Sequence, residues 1–159
     1  NEYTDILNFL PGSKDILIYE NDKVKCEDAF KKADVAFTLD FNSLSRARNL
    51  SSLISRSTAK TIMIDHHENP DNYADITISN SKMSSTCEMV YDFICSIDKS
   101  KIDNKIATCI YTGIVADTGS FRFPSTTSKT LKVGSELINY GVNVTEIFEK
   151  LHNLSLIHI

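Results

Sequence analysis

Short apolar runs alternate with amphipathic stretches along the first eighty residues of this chain. Four of these runs have strand length and are bounded by polar or turn-forming residues. The predicted strands are Asp15–Tyr19, Val35–Leu39, Thr61–Ile64 and Ile76–Ile78. Helical spacing predicts crossover helices at Glu27–Lys32 and Arg46–Arg56. Strands that alternate with helices in this way predict an α/β fold with a parallel sheet and crossover helices.

Longer stretches with helical spacing dominate the second half of the chain. Apolar residues recur there every three or four positions, as on the buried face of a helix. The predicted helices run from Ser85 to Ile97, from Asp103 to Val115, from Ser128 to Tyr140 and from Thr145 to Leu151. These helices are expected to form the scaffold of the domain.

Bulk composition limits the class of protein. The 159 residues are 42% hydrophobic and 24% charged, which suits one domain, and the net charge of −4 argues against a duplex DNA partner. The sequence shows no secretory signal and no apolar run long enough to cross a membrane, so a cytoplasmic location without membrane association is expected. The four cysteines lack CxxC spacing and are predicted to be reduced thiols.

Polar side chains follow three of the predicted elements. Asp40 follows Val35–Leu39, the triplet Asp65-His66-His67 follows an apolar strand, and Asp117 ends a helix. Because parallel strands end at one edge of a sheet, Asp40 and His66 are expected to meet there. Carboxylate oxygen and imidazole nitrogen favour Mn²⁺ or Mg²⁺ over a structural zinc ion, which would call for thiolates.

Each of these residues also has a structural interpretation. Asp40 alone could cap a helix or a turn, and Asp117 could form an Asx turn. Adjacent histidines on a strand point to opposite faces, so both can reach one ligand only if the chain turns beneath them. The residues Glu68-Asn69-Pro70-Asp71 predict such a turn. The conjunction of these strand endings favours a metal site over the structural interpretations.

The motifs resemble those of the DHH phosphoesterase superfamily, which is named for the triplet. Ala33–Asp40 resembles its second motif, and Gly113–Phe121 resembles its fourth. Within the superfamily, Ser85–Tyr91 and Thr118–Phe123 are similar to the bacterial nano-RNase branch. Members of that branch degrade very short oligonucleotides and dephosphorylate adenosine 3′,5′-bisphosphate. The resemblance implies a Rossmann-like DHH domain.

The resemblance also implies a role for each site residue. Asp40 would bridge two Mn²⁺ ions, with Mg²⁺ as the alternative metal, and His66 and Asp117 would complete the coordination of one ion. Asp65 would orient the metal-binding imidazole that follows it. His67 would face the scissile phosphate and donate a hydrogen bond to it. Two such ions would activate the water that attacks the phosphate.

The implied substrates are short single-stranded oligoribonucleotides or a nucleotide bisphosphate. Arg122 would hold a nonbridging phosphate oxygen, or would be a solvated surface residue. A homodimer is compatible with the sequence. Two alternatives stay open: a manganese-dependent inorganic pyrophosphatase, which Phe123-Pro124 suggests, and a noncatalytic nucleotide sensor.

Two departures from the family pattern concern the ends of the chain. The first motif, His-x-x-x-Asp-x-Asp, and a C-terminal substrate-binding domain are missing, so residues 1–153 are interpreted as a partial DHH domain truncated at both ends. The last six residues, Leu154–Ile159, correspond to the codons CTGTCTCTTATACACATC, which resemble a sequencing transposon end. We interpret them as adapter read-through. The chain as written is expected to bind Mn²⁺ poorly and to be nearly inactive.

Overall fold

The computed structural model describes residues 5–152, which fall into two compact units. One unit comprises residues 16–86, and the other comprises the described residues before 16 and after 86. The predicted adapter segment, residues 154–159, lies outside the described residues.

A three-stranded parallel sheet forms the centre of the unit 16–86. Its strands are β1 (Val35–Leu39), β2 (Lys60–Asp65) and β3 (Ile76–Ser79), in the order β1-β2-β3. The helices of this unit are α1 (Tyr19–Lys32) and α2 (Ser51–Arg56), which contact each other. The prediction of an α/β fold with a parallel sheet is therefore confirmed.

The strand register brings the ends of β1 and β2 to one edge of the sheet. Leu39 lies opposite Ile64, and Asp65 lies opposite Ser79. The backbone N–H of Asp40 then donates to the carbonyl of Ile64 at 3.1 Å. Asp40 and the residues that follow β2 consequently leave the sheet side by side.

The predicted strand Asp15–Tyr19 is wrong. A 3-10 turn covers Ser13–Asp15, and α1 begins at Tyr19. The carbonyl of Ile18 accepts hydrogen bonds from the N–H groups of Asn21 and Asp22, so the last part of the apolar run opens a helix. Local backbone hydrogen bonding at the helix start outweighs the strand propensity of a short apolar run.

The helix predicted for Arg46–Arg56 is divided into two elements. A 3-10 helix covers Leu44–Leu50, and α2 follows it. Arg48 interrupts the helical backbone with φ 49° and ψ −121°. The apolar spacing that predicts one continuous helix therefore does not reveal this interruption of the backbone.

The unit that contains residues 87–152 is helical. Its elements are α3 (Thr86–Asp98, whose first residue belongs to the sheet unit), α4 (Asn104–Asp117), α5 (Ser128–Ile138) and α6 (Val144–His152). Ala107, Ile114 and Leu137 are fully buried in its core. These helices lie within a few residues of the predicted ones. Within residues 5–152, no helix is both long enough and apolar enough to span a bilayer.

Candidate metal centre

Asp40, His66 and His67 form a cluster at the exit of the sheet. Each offers one potential ligand atom, and the three atoms lie within 4.8 Å of one another. One carboxylate oxygen and two imidazole nitrogens form a donor set that suits a divalent cation such as Mn²⁺. The predicted meeting of Asp40 and His66 is thus observed, with His67 beside them, while the roles of Asp40 and His66 as ligands stay a prediction.

Asp40 is the first residue beyond β1 and adopts a left-handed backbone conformation with φ 65°. This conformation turns the chain out of the strand, and Asp is one of the few residues that tolerate it. The side chain is 56% exposed. The hydroxyl of Thr86 donates to its Oδ1 atom at 2.8 Å, so the carboxylate is held in place while it stays accessible to a ligand.

The backbone carbonyl of Met83 orients the imidazole of His66. Nδ1 of His66 lies 3.2 Å from that carbonyl oxygen, and Nε2 lies 3.7 Å from Oδ1 of Asp40. Because a carbonyl can only accept, Nδ1 carries the hydrogen. In the neutral ring, Nε2 therefore presents a lone pair on the side of Asp40, as a metal ligand requires.

Asp65 orients His67, whereas the sequence predicted that it would orient His66. Its carboxylate is fully buried, and Oδ1 lies 2.7 Å from Nδ1 of His67. Its Oδ2 accepts the backbone N–H of His67 at 3.0 Å. The reason is local: an aspartate at the end of a strand can accept the backbone N–H two residues on, as in an Asx turn, and this bond brings the ring of His67 to the same carboxylate. Nε2 is therefore the His67 ring nitrogen left for a ligand or substrate.

The turn predicted after the histidines is present. Asn69 has φ 56°, and the rings of His66 and His67 lie 4.9 Å apart at 71°. Asn42, in the loop after β1, donates through its side-chain amide to the carbonyl of Glu68. Its backbone carbonyl accepts the N–H of Asp71 at 2.7 Å. These bonds tie the loops that follow β1 and β2 together.

Tyr73 provides a second tie between the same loops. Its hydroxyl donates to the carbonyl of Phe41 at 3.2 Å, and it lies 2.7 Å from the hydroxyl of Thr38, which then acts as donor. The rings of Phe41 and Tyr73 are nearly parallel, with centroids 6.3 Å apart. Burial raises the pKa of Tyr73, so this hydroxyl keeps its proton at neutral pH.

A polar cleft of about 400 Å³ adjoins His67. Two loops line it, one formed by residues 67–70 after β2 and the other by residues 79–82 at and after the end of β3. The cleft gives a ligand at the metal centre room to extend along the edge of the sheet.

Asp117 and Arg122 lie in the other unit. Asp117 is the last residue of α4 and is exposed, and Gly119, Ser120 and Phe121 follow with positive φ angles. Arg122 is exposed, and its Nε donates to the carbonyl of Gly119 at 2.7 Å. The proposed roles of Asp117 as a ligand and of Arg122 as a phosphate contact stay predictions.

Sequence reasoning missed the contributions of Met83 and Thr86. A backbone carbonyl such as that of Met83 leaves no signal in the sequence. The three hydroxyl residues Ser84-Ser85-Thr86 did offer one, since all three are buried where a helix begins. Buried hydroxyls need hydrogen-bond partners, and one such partner of Thr86 is the candidate ligand Asp40.

Comparison with known proteins identifies a family and curated relatives of this chain. A model of the DHH family, N-terminal domain, matches residues 2–114. The bifunctional oligoribonuclease and PAP phosphatase NrnA of Bacillus subtilis is 43% identical over 102 residues, which cover 63% of this chain and 33% of that protein. The chain thus spans about a third of the length of this relative.

Two solved structures resemble this chain to different degrees. An exopolyphosphatase-related protein from Bacteroides fragilis has a TM-score of 0.91 and 39% identity, and the match covers 94% of this chain and 44% of that protein's chain. A putative family II inorganic pyrophosphatase from Methanococcus jannaschii has a TM-score of 0.55 and 17% identity, and the match covers 76% of this chain and 42% of that protein's chain. The second likeness concerns the fold alone. Together with the matched triplet and strand-end Asp40, the family model shows that the chain belongs to the DHH family.

Proposed function

We propose that this chain carries the metal-binding part of a phosphoesterase that acts on short single-stranded oligoribonucleotides or on the 3′-phosphate of a nucleotide bisphosphate. The cluster of Asp40, His66 and His67, with both imidazoles oriented by hydrogen bonds, carries the proposal. The relative from Bacillus subtilis, whose name describes an oligoribonuclease and a PAP phosphatase, supports this choice of substrate.

In this proposal, the side chains divide the work of binding metal and substrate. Asp40 and His66 hold Mn²⁺, with Mg²⁺ as the alternative. Bound divalent cations would supply charge neutralisation at the phosphate and ease the ionisation of the attacking water. The tie of His66 to Met83 keeps the Nε2 lone pair available for the ion.

His67 binds the phosphate in this proposal. Its Nδ1 is engaged by the buried Asp65, so its Nε2 is the atom that meets the substrate. In the protonated ring, Nε2 donates a hydrogen bond to a phosphate oxygen as negative charge develops there. A side chain fixed in advance by Asp65 loses little freedom when it does so.

The test compares substrates in protein expressed from the complete gene. With Mn²⁺ present, we expect hydrolysis of a diribonucleotide or of adenosine 3′,5′-bisphosphate, and much slower release of phosphate from pyrophosphate. His67→Gln should lower the rate about a hundredfold, whereas the exposed α4 variant Lys105→Met should not change it. Faster hydrolysis of pyrophosphate would favour the pyrophosphatase alternative, and nucleotide binding without any hydrolysis would favour the sensor.

A further inference from the structure

The cleft beside His67 carries groups that the metal centre does not use. Its lining includes the amides of Asn69 and Asn80, the charged side chains of Glu68 and Lys82, and serine hydroxyls. Such groups offer hydrogen bonds and charge, in contrast to the broad aromatic platforms that stack bases. The cleft is therefore built to bind a hydroxylated or ionic ligand.

Its two charged side chains are open to such a ligand. Within residues 5–152, neither the ammonium group of Lys82 nor the carboxylate of Glu68 forms an ion pair or a side-chain hydrogen bond, although both line the same cleft. An ammonium group binds phosphate oxygens, and a carboxylate accepts hydrogen bonds from sugar hydroxyls. A ligand with both groups, a phosphorylated sugar, satisfies the two together.

We propose that this cleft binds the ribose and phosphate of one nucleotide of the substrate, with Lys82 on the phosphate and Glu68 on the ribose hydroxyls. The proposal rests on the proposed function, and it extends substrate recognition beyond the scissile group. It also disfavours inorganic pyrophosphate, which has no sugar hydroxyl groups to donate to Glu68.

Titration of the ¹⁵N-labelled chain with adenosine 3′,5′-bisphosphate in metal-free buffer tests the proposal without turnover. We expect the amide signals of residues 68–69 and 79–82 to shift. Lys82→Met should raise the Kd about threefold to fivefold, as expected for an exposed charge pair, while Lys82→Arg should stay close to the parent. The matched control Lys105→Met removes a lysine from α4 and should leave the Kd unchanged.

Three outcomes would overturn this assignment: shifts confined to residues outside the cleft, an unchanged Kd in Lys82→Met, or an equal rise in Lys105→Met. Hydrolysis is measured separately in protein from the complete gene. Binding in the cleft without hydrolysis contradicts the proposed function alone. Hydrolysis with unchanged binding in Lys82→Met contradicts the cleft assignment alone.

A separate observation concerns Thr86. This residue is 4% exposed, and its hydroxyl donates to Oδ1 of Asp40, the oxygen that also faces Nε2 of His66. Asp40 adopts a left-handed backbone at an exposed position, so its carboxylate has little other packing to fix it. The first residue of α3 thus holds a candidate ligand that lies just beyond β1.

We infer that Thr86 is a positioning residue for the metal centre, acting through Asp40. A hydrogen bond to a ligating carboxylate selects its rotamer before the ion binds, and loss of such a contact commonly lowers metal affinity. The inference rests on the assignment of Asp40 as a ligand, and it does not require a particular substrate.

Mn²⁺ titration of the labelled chain, followed by paramagnetic broadening of the His66 amide signal, tests this role even if binding is weak. Thr86→Val and Thr86→Ala both remove the hydroxyl and should raise the Kd for Mn²⁺ about tenfold. Thr86→Ser restores the hydroxyl and should stay within about twofold of the parent. Two hydroxyl-free variants are made so that the test can be carried out when only one of them folds. The amide spectrum of each variant shows whether it is folded.

Unchanged Mn²⁺ affinity in a folded hydroxyl-free variant would refute the role of Thr86, and so would an equal loss in Thr86→Ser. Absence of Mn²⁺ binding by the parent chain would overturn it together with the metal assignment. A parent protein that binds Mn²⁺ but hydrolyses neither nucleotide substrate would count against the proposed function only.

Discussion

Asp40 and Asp65 stand at the ends of adjacent parallel strands, yet their surroundings are opposite. Asp40 lies just beyond β1, at the edge of the described sheet, and is 56% exposed. Asp65 ends β2, which is paired on both sides, and is fully buried. A buried carboxylate must find internal hydrogen-bond partners, whereas an exposed one stays available to a ligand. The comparison teaches that strand position separates a buried, orienting carboxylate from one that stays accessible to a ligand.

Among the variants that test this comparison, Asp65→Asn should lower the free energy of unfolding most strongly. Asn cannot supply the negative charge that holds Nδ1 of His67, and its amide hydrogens would be buried without the partners that the carboxylate now has. We expect a loss of about 2 to 3 kcal/mol in the free energy of unfolding. Urea unfolding of the chain measures this value. A change below about 0.5 kcal/mol would mean that the burial of Asp65 contributes little to stability.

Asp40→Asn should show the reverse behaviour. Asn tolerates the left-handed backbone at φ 65°, so the free energy of unfolding should change by less than about 0.5 kcal/mol. Loss of the anionic oxygen should lower Mn²⁺ affinity at least about tenfold. Parallel urea unfolding and Mn²⁺ titration separate the two quantities. An Asp40→Asn protein that binds Mn²⁺ normally would remove Asp40 from the centre.

The two histidines sharpen the comparison, because each is oriented by a different group. His66→Ala should lower Mn²⁺ affinity about tenfold, since it removes the Nε2 lone pair that lies near Asp40. His67→Ala should change the affinity less than about threefold, because the proposed role of His67 is to bind phosphate. Equal losses of bound Mn²⁺ in the two variants would contradict this division of roles.

The sequence predicts the sheet well because apolar runs and strand exits carry a strong local signal. Asp40 and the triplet could be placed at one edge from parallel topology alone. The pairing of Asp65 with His67 could also have been expected from the tendency of an aspartate to accept the N–H two residues on in an Asx turn, although the family resemblance pointed to His66.

Other features depend on contacts that local pattern does not encode. The run after Asp15 has strand composition, but the carbonyl of Ile18 is used to open α1. Met83 acts through its backbone, so any residue type at that position could play its part. Thr86 reaches Asp40 across 46 positions in the sequence, a contact that only the folded chain creates.

Replacement of a third carboxylate, that of Asp75 at the edge where the strands begin, has the smallest expected effect among these variants. Asp75 precedes β3, and its Oδ2 accepts the backbone N–H of Thr61 at 2.8 Å while Oδ1 pairs with Lys60 at 3.1 Å. The hydrogen bond from Thr61, followed by the contact with Lys60, lowers the pKa of Asp75. Because the folded pKa lies below the unfolded one, this stabilisation is present above about pH 4 and is lost as the pH falls through the folded pKa.

Asp75→Asn should therefore be less stable than the parent at pH 7, and the difference should shrink below about pH 4. Thermal unfolding midpoints between pH 7 and pH 3 measure it. Lys60→Met should keep most of the parent's pH dependence, because the backbone bond from Thr61 is the larger cause of the lowered pKa. Mn²⁺ affinity should be unchanged in both variants, since these residues lie where the strands begin and the metal centre lies where they end. A stability difference that stays constant over this pH range would show that Asp75 acts through packing instead of charge.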